Sequence, residues 1–521
     1  MDASVYLFIL MRVHNEYSDG VNRQASCVLA LMAIGVGIGT GLAQTDEANG
    51  ANVKFATLYT FCVQGGSPPN CPDGENPVGG FLQATNGDFY GVTITGGLGC
   101  APYGCGTIFK MTPTGVLTVI HSFCIQSGCP DGDYPSSPVQ ATNGEIYGTT
   151  ILGGLYGAGT VYKITPSGTL TTLYNFCGQA SCSGGINPNS PLVQAANGGL
   201  YGIASGGGTS GFGTLFEITP KGSLTTLFDF CSQANCYYDQ APYTGLVQAR
   251  NGKLYGMTTN GGSYGHGSIF EVTPAGAQAI LYNFCPVSGC ADGSTPEGEL
   301  VQAPNGDLYG TTEQGGLNCS SSGGCGTIFR ITPGGSMTTV YQFCSQPSCV
   351  DGETPVAGLV LAANGNFYGT TYSGGAYGGG TVFKISSTGT LTTLYSFCSQ
   401  VNCSDGKGPN GLVQGTNGVF YGITGVGGGN GAGTIFSLST GEVPFVEPRP
   451  TIGIVGEVVT IVGYGLEGVT SVTFNGTPAT ILYDAPTVIY AEVPTGATTG
   501  DVQVVTPNGT FTSNVAFEVV P

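Results

Sequence analysis

The sequence predicts an all-β chain: a seven-bladed β-propeller closed by a strand from the beginning of the chain, followed by a small immunoglobulin-like sandwich. Three observations lead there. The dipeptide Tyr-Gly recurs at Tyr90, Tyr147, Tyr201, Tyr255, Tyr309, Tyr368 and Tyr421, roughly every 54 residues, a period that belongs to repeat architectures. Each recurrence sits among short stretches rich in β-branched and aromatic residues, and no window combines helical periodicity with caps. Finally, "ATLYTFC" at 56–62 copies the last stretch of a repeat but stands before the first one, and the seventh repeat stops at Ser439 without that stretch.

One unit, residues 298–344, reads "GELVQAPNGDLYGTTEQGGLNCSSSGGCGTIFRITPGGSMTTVYQFC". "ELVQA" and "DLYGTT" flank Asn305-Gly306, which predicts a type I′ hairpin with two positive φ angles. "GTIFRIT" and "SMTTVYQFC" flank Pro333-Gly334-Gly335, a second tight turn. Four antiparallel strands result, and their weak polar alternation means that both sheet faces are covered, as in blades stacked around a channel. If the strand at 53–62 completes the last blade, "LVQA" lies innermost and "TLTTLY" outermost. The tight turns then share one side of the disc and the longer loops share the other. The expected bounds are a signal peptide over 1–43, the propeller over 53–440, a linker over 441–450 and the sandwich over 451–521.

Composition sets the environment. Acidic residues outnumber basic ones 31 to 12, for a net charge of −19, which leaves no basic patch for nucleic acid or anionic lipid. Residues 25–43, "ASCVLALMAIGVGIGTGLA", follow Arg23 and end in small residues, the pattern of an export signal cleaved after Ala43 and leaving no membrane insertion. Met11 is an alternative start. Apart from Cys27, the cysteines fall into close pairs: Cys62–Cys71, Cys100–Cys105, Cys124–Cys129, Cys177–Cys182, Cys231–Cys236, Cys285–Cys290, Cys319–Cys325, Cys344–Cys349 and Cys398–Cys403. Zinc favours two-residue spacers and four ligands from paired motifs, so disulfides in an oxidising compartment are expected.

Two ring-like sets are candidates for binding. Tyr103, Tyr156, Tyr264 and Tyr377, with Phe212 displaced by two positions, lie in glycine-rich loops between the second and third strands; exposed aromatics there would stack on sugars, and buried ones would pack between blades. Asp73, Asp131, Asp292, Asp351 and Asp405 follow the second cysteine in a Cys-x-Asp-Gly-x-x-Pro motif. Each is expected to hold a turn, with calcium as the alternative ligand. Gln83, Gln140, Gln194, Gln248, Gln302 and Gln414 of "LVQA" are expected to hydrogen-bond between blades or to line a polar channel. His121 takes the place of an outer-strand tyrosine, and His266 has no triad partners in sequence. No catalytic residue is assigned.

The unit "LVQATNG.LYGTT..GG..G.GTIFK.TP.G.LTTLY.FC" resembles the bacterial tandem repeat GloVer, named for Gloeobacter and Verrucomicrobia, and its glycine pairs, such as Gly153-Gly154, are more weakly similar to kelch blades. Residues 451–521, with "VVTIVGYGL", "VTSVTFNGTPATI" and "DVQVVTPNGT", resemble an IPT/TIG domain. The resemblance implies an exported bacterial protein and fixes no reaction. The expected function is non-catalytic binding or adhesion at the cell surface or in the extracellular matrix, with a polysaccharide or surface protein on the disulfide-loop side and no cofactor, calcium at the aspartates being the alternative. The alternatives are a glycan lyase or hydrolase with two acting carboxylates and a self-associating structural protein.

Overall fold

The computed structural model describes residues 53–63, 71–99, 104–231, 239–240, 243–318 and 324–520. The expected leader, Tyr103, Cys100, Cys236 and Cys319 lie outside them. Within the described residues seven antiparallel sheets share one plan. In the fifth unit Ser294–Pro296 and Val301–Gln302 pair with Leu308–Gln314, which pairs with Thr327–Ile331, which pairs with Met337–Gln342. The seventh unit supplies Lys407–Gln414, Phe420–Val426 and Thr434–Ser439, and its fourth strand is Lys54–Thr60, running antiparallel from Lys54 opposite Ser439 to Thr60 opposite Thr434.

The Asn-Gly turns differ from expectation. Asn305 keeps a negative φ, and only Gly306 is left-handed, at φ 90°. Gly306 N–H donates to the Ala303 carbonyl and Ala303 N–H to that of Asp307, which is a type I turn closed by a glycine bulge and not a type I′ turn. The asparagine side chain is used elsewhere. Its Oδ1 accepts the Asp307 N–H at 3.1 Å, and in six other units its amide donates to the buried tyrosine of the next strand, as Asn143 does to Tyr147 at 2.8 Å.

Tyr-Gly recurs because of how neighbouring units meet. Opposite Gly310 in the sheet stands Phe329, whose Cζ would lie 2.6 Å from a Cβ at that position. The ring therefore lies across the glycine, and any side chain there would eject it. Its neighbour is Phe284 of the preceding unit, in edge-to-face contact at 5.2 Å and 67°. The same contact joins Phe123 to Tyr162, Phe176 to Phe216, Phe230 to Phe270, Phe343 to Phe383, Phe397 to Phe436 and, across the two ends of the repeat array, Phe61 to Phe109.

Each end of these seams carries hydrogen bonds. On the turn side a glutamine accepts a backbone N–H from the preceding unit: Gln140 from Thr85, Gln194 from Thr142, Gln248 from Ala196, Gln302 from Arg250, Gln414 from Ala363 and Gln83 from Thr416. At the remaining seam the acceptor is replaced by Leu361 and the donor position by Pro304, which has no N–H, so both partners are missing together and neither is stranded. On the loop side a residue with positive φ donates to the carbonyl of the preceding glycine-rich loop: Asn76 to Ala432, Tyr134 to Cys105, Asn187 to Ala158, Thr295 to His266 and Thr354 to Cys325.

The C-terminal residues form a sandwich. One sheet orders Glu447–Arg449, Val458–Val462, Val488–Glu492 and Thr480–Ala485; the other orders Thr477–Pro478, Ser471–Phe474, Val502–Thr506 and Gly509–Thr512. Their inner faces meet in a core that includes Val459, Ile461, Phe474, Ile489, Val504 and Phe517. The sandwich stands on the turn side of the repeats. Arg449 Nη1 donates to the Gln83 carbonyl at 2.8 Å, Thr487 Oγ1 to that of Thr85 at 2.7 Å, and Phe445 N–H to that of Thr416.

Tyr162 departs from its phenylalanine equivalents, and its hydroxyl is buried with no hydrogen-bond partner among the described residues. Burial drives its pKa far upward. Tyr162→Phe is expected to raise stability by about 1–2 kcal/mol, the cost of an unsatisfied buried hydroxyl, measured as a higher denaturation midpoint in guanidinium with an unchanged slope.

Candidate functional site

The disulfide loop after the fourth strand and the glycine-rich loop between the second and third strands are built as one surface. Bonds join Cys62–Cys71, Cys124–Cys129, Cys177–Cys182, Cys285–Cys290, Cys344–Cys349 and Cys398–Cys403. Cys105, Cys231 and Cys325 are also disulfide-bonded, their expected partners being outside the described residues. The carbonyl of the second cysteine accepts the N–H of the second glycine of the pair, as Cys129 does from Gly154 and Cys349 from Gly375. The end of the outer strand grips the next residue: Leu155 N–H donates to Asn175 Oδ1, Thr209 to Asp229, Ser263 to Asn283 and Leu317 to Gln342.

Loops fixed in this way hold side chains out in water. Tyr156 is 57% exposed, Phe212 39%, Tyr264 51% and Tyr377 59%, too open to serve as packing between units. Apolar neighbours join them: Leu98, Leu155 and Leu317 after glycine pairs, and Ile125, Val287 and Val401 in the disulfide loops, all exposed. Sequence reasoning passed over these six. The Gly-Gly-Leu triplet in three units was the available signal, since leucine at a loop tip has no local structural use.

The five aspartates act inside their own units. Asp73 accepts from Tyr59 Oη at 2.8 Å and from Val63 N–H; Asp292 accepts from Tyr282 Oη at 2.9 Å and from Cys285 N–H. Asp351 accepts from Tyr341 Oη, Ser345 N–H and Ser345 Oγ, and Asp405 repeats this with Tyr395 and Ser399. His121 stands where the others have tyrosine, and its Nε2 lies 2.9 Å from Asp131. Burial, followed by the adjoining carboxylate, pushes the Tyr341 hydroxyl up to about 12. The donors gather on one oxygen of Asp73 and of Asp405, whose other oxygen is buried with no hydrogen-bond partner among the described residues; a calcium ion there would need several further oxygen ligands. Among the described residues, groups of three or more metal-type side chains are built on disulfide cysteines, such as Cys325, Cys344 and Cys349 with Glu353, and none includes the five aspartates.

Two carboxylates outside this set stand well above the usual carboxylate range. Glu299 precedes "LVQA" on the innermost strand, and its Oε1 would meet a Cβ placed on Gly245 of the preceding unit at 2.5 Å. Open to solvent by area yet surrounded by protein, it is pushed up to about 7 by desolvation, the combination a concave inner surface produces. It lies one residue outside the repeated inner-strand motif, where sequence reasoning did not look. Asp133, at the end of the Cys124–Cys129 loop, has a buried oxygen without a partner; desolvation, and less so Asp131, raises it to about 6. A carboxyl raised on folding favours the folded state while neutral, so its contribution is present below about pH 4 and lost as pH climbs through 6. Asp133→Asn is expected to match the parent near pH 4 and exceed its stability at pH 7, measured by denaturant titration at the two pH values.

Comparison with known proteins agrees with the geometry. The model of the Gloeobacter/Verrucomicrobia repeat matches residues 37–244 and 241–446, and that of the IPT/TIG domain matches 447–519. No curated protein matches significantly. Similar solved structures include a fungal alcohol oxidase in complex with copper (13% identity, TM-score 0.47, 87% of this chain and 98% of that one). An extracellular domain of a one-component system from B. thetaiotaomicron is 12% identical, with TM-score 0.44, 87% of this chain and 51% of that one. An α-L-arabinanase of Penicillium chrysogenum complexed with arabinobiose is 13% identical, with TM-score 0.39, 60% of this chain and 94% of that one. Likenesses this distant transfer no chemistry. Matched over most of its length, the chain belongs to the Gloeobacter/Verrucomicrobia repeat family and carries a C-terminal IPT/TIG domain.

Proposed function

We propose that this chain is an exported, non-catalytic binding protein whose seven sheets close into a ring and whose disulfide-loop side docks a polysaccharide or a surface protein. The observation that carries the reading is the exposure of Tyr156, Phe212, Tyr264 and Tyr377 at related positions on loops held by backbone bonds. Rigid, exposed aromatics lose little entropy on contact and cover much apolar surface. Disulfides in most units support an extracytoplasmic location, since the cytosol keeps thiols reduced, in keeping with the expected leader. Three contacts between first and last units support the ring: Lys54–Thr60 in the seventh sheet, Phe61 on Phe109 and Thr416 on Gln83.

A glycan array and a panel of outer-surface proteins, probed with the parent and with Tyr156→Ala/Tyr377→Ala, test the binding site. The expected result is a ligand whose affinity drops about tenfold or more in the variant, as for loss of two stacking contacts; equal binding by both proteins refutes it. Closure has its own test. Deleting residues 53–62 is expected to lower the melting temperature and produce self-association through the bared Thr434–Ser439 edge, read by scattering; an unchanged monomer of equal stability would exclude a ring closed by this strand.

A further inference from the structure

The side of the repeats opposite the disulfide loops holds a second concavity. A cavity of about 840 Å³ opens between the Asn-Gly turns of the second and third units, Ala141–Gly144 and Ala195–Gly198, and the C-terminal sandwich. The sandwich contributes the outer face of its Glu447-containing sheet, with Val458, Thr460 and Tyr490 turned to the cavity. Thr460 and Tyr490 are cross-strand partners, as are Tyr490 and Tyr483. The two tyrosine rings lie 5.3 Å apart and 31° from parallel, and Val458, Tyr490 and Tyr483 are 49%, 38% and 50% exposed. Three neighbouring apolar side chains open to water on a sheet are not part of the sandwich core, which lies on the other face.

We propose that this cavity is a binding site for a neutral oligosaccharide, separate from the loop side. Its walls have complementary chemistry. One is an aromatic and aliphatic platform suited to the C–H face of a sugar ring. The other consists of turn backbone with the Thr142 hydroxyl and the amide oxygens of Asn143 and Asn197, whose amide nitrogens are spent within their own units; these are neutral groups suited to sugar hydroxyls. The charged groups at its border are already engaged. Arg449 pairs with Glu447 at 2.7 Å and donates to the Gln83 carbonyl, and Glu457 accepts the Ile454 N–H at 3.0 Å. A charged sugar would meet no uncommitted counter-charge there, and the chain carries −19, so uronates and other anions are disfavoured. The volume fits about two or three sugar rings, within the range of small-ligand pockets. Arg449 and Thr487 hold the sandwich against the turn side at Gln83 and Thr85, so the two walls keep their spacing without ligand.

The test uses the full disulfide-bonded protein in the Tyr156→Ala/Tyr377→Ala background, so that loop-side binding is weakened and the two readings fail separately. Cello-, xylo-, manno- and maltohexaose are titrated by saturation-transfer NMR and calorimetry. At least one is expected to bind, and Tyr490→Ala, which removes the platform, and Ala196→Trp, which fills the cavity from the opposite wall, are each expected to weaken it about tenfold or more. Both positions are solvent-exposed, and the two substitutions lie in different domains, so a folding defect in one would leave the other informative. Binding that neither substitution alters overturns the proposal, as does the absence of binding to all four sugars.

Discussion

The seam between consecutive sheets is the contact on which the rest of this molecule depends. A phenyl ring crosses a glycine of its own sheet and meets the edge of a second ring from the sheet before. This explains why Tyr-Gly, the aromatic that ends Thr-Ile-Phe and its variants, and Phe-Cys are the fixed points of the repeat: each is one party to the same junction. No single sheet could bury these rings, so stability is nearest-neighbour in character. The flanking hydrogen bonds set the register of one sheet on the next. The coupled change of Pro304 and Leu361 makes the point from inside the chain: where the acceptor goes, the donor goes too, because an unpaired amide at a buried seam costs more than an absent pair.

Function builds on that rigidity. Among the described residues, the first cysteine of each disulfide loop that follows an outer strand has a positive φ, from 58° at Cys124 to 68° at Cys62, a conformation that most side chains avoid. Short covalent loops, turn-holding aspartates and outer-strand side chains that cap the glycine-rich loops keep the loop surface in one shape. Side chains exposed on such a surface can meet a ligand with little ordering cost. On the opposite side the sandwich takes part in seam chemistry as well, since its arginine and threonine bind carbonyls beside the glutamine that joins the first unit to the last.

Much of this was legible beforehand because repetition makes a chain its own alignment. Seven copies of Tyr-Gly gave the sheets, and one displaced copy of the outer strand gave the partner of Thr434–Ser439. The inter-unit role of Gln140 and its equivalents was also readable, as was the turn-holding role of Asp292. What was missed has physical causes. Asparagine-glycine is compatible with more than one hairpin geometry, and at Asn305 the turn is fixed by backbone bonds between Ala303, Gly306 and Asp307 and by the asparagine side chain's bonds to Asp307, which turn propensity alone does not display. Glu299 stood one position outside a motif defined by similarity, so a residue unique to one unit dropped from view. The cavity against Tyr490 involves two unrelated segments, and no periodicity connects them.

The pairing of Lys54 with Ser439 also bears on how the molecule is made. The first strand of the array to be synthesised has no sheet partner until the last repeat exists, so a pairing that spans nearly the whole array is also the one that finishes it. Until then two strand edges stay bare, and a neighbouring nascent chain offers the same complementary segment as the correct one. Slow synthesis or crowding would thus favour exchange of opening strands between molecules, giving linked pairs whose every junction is native.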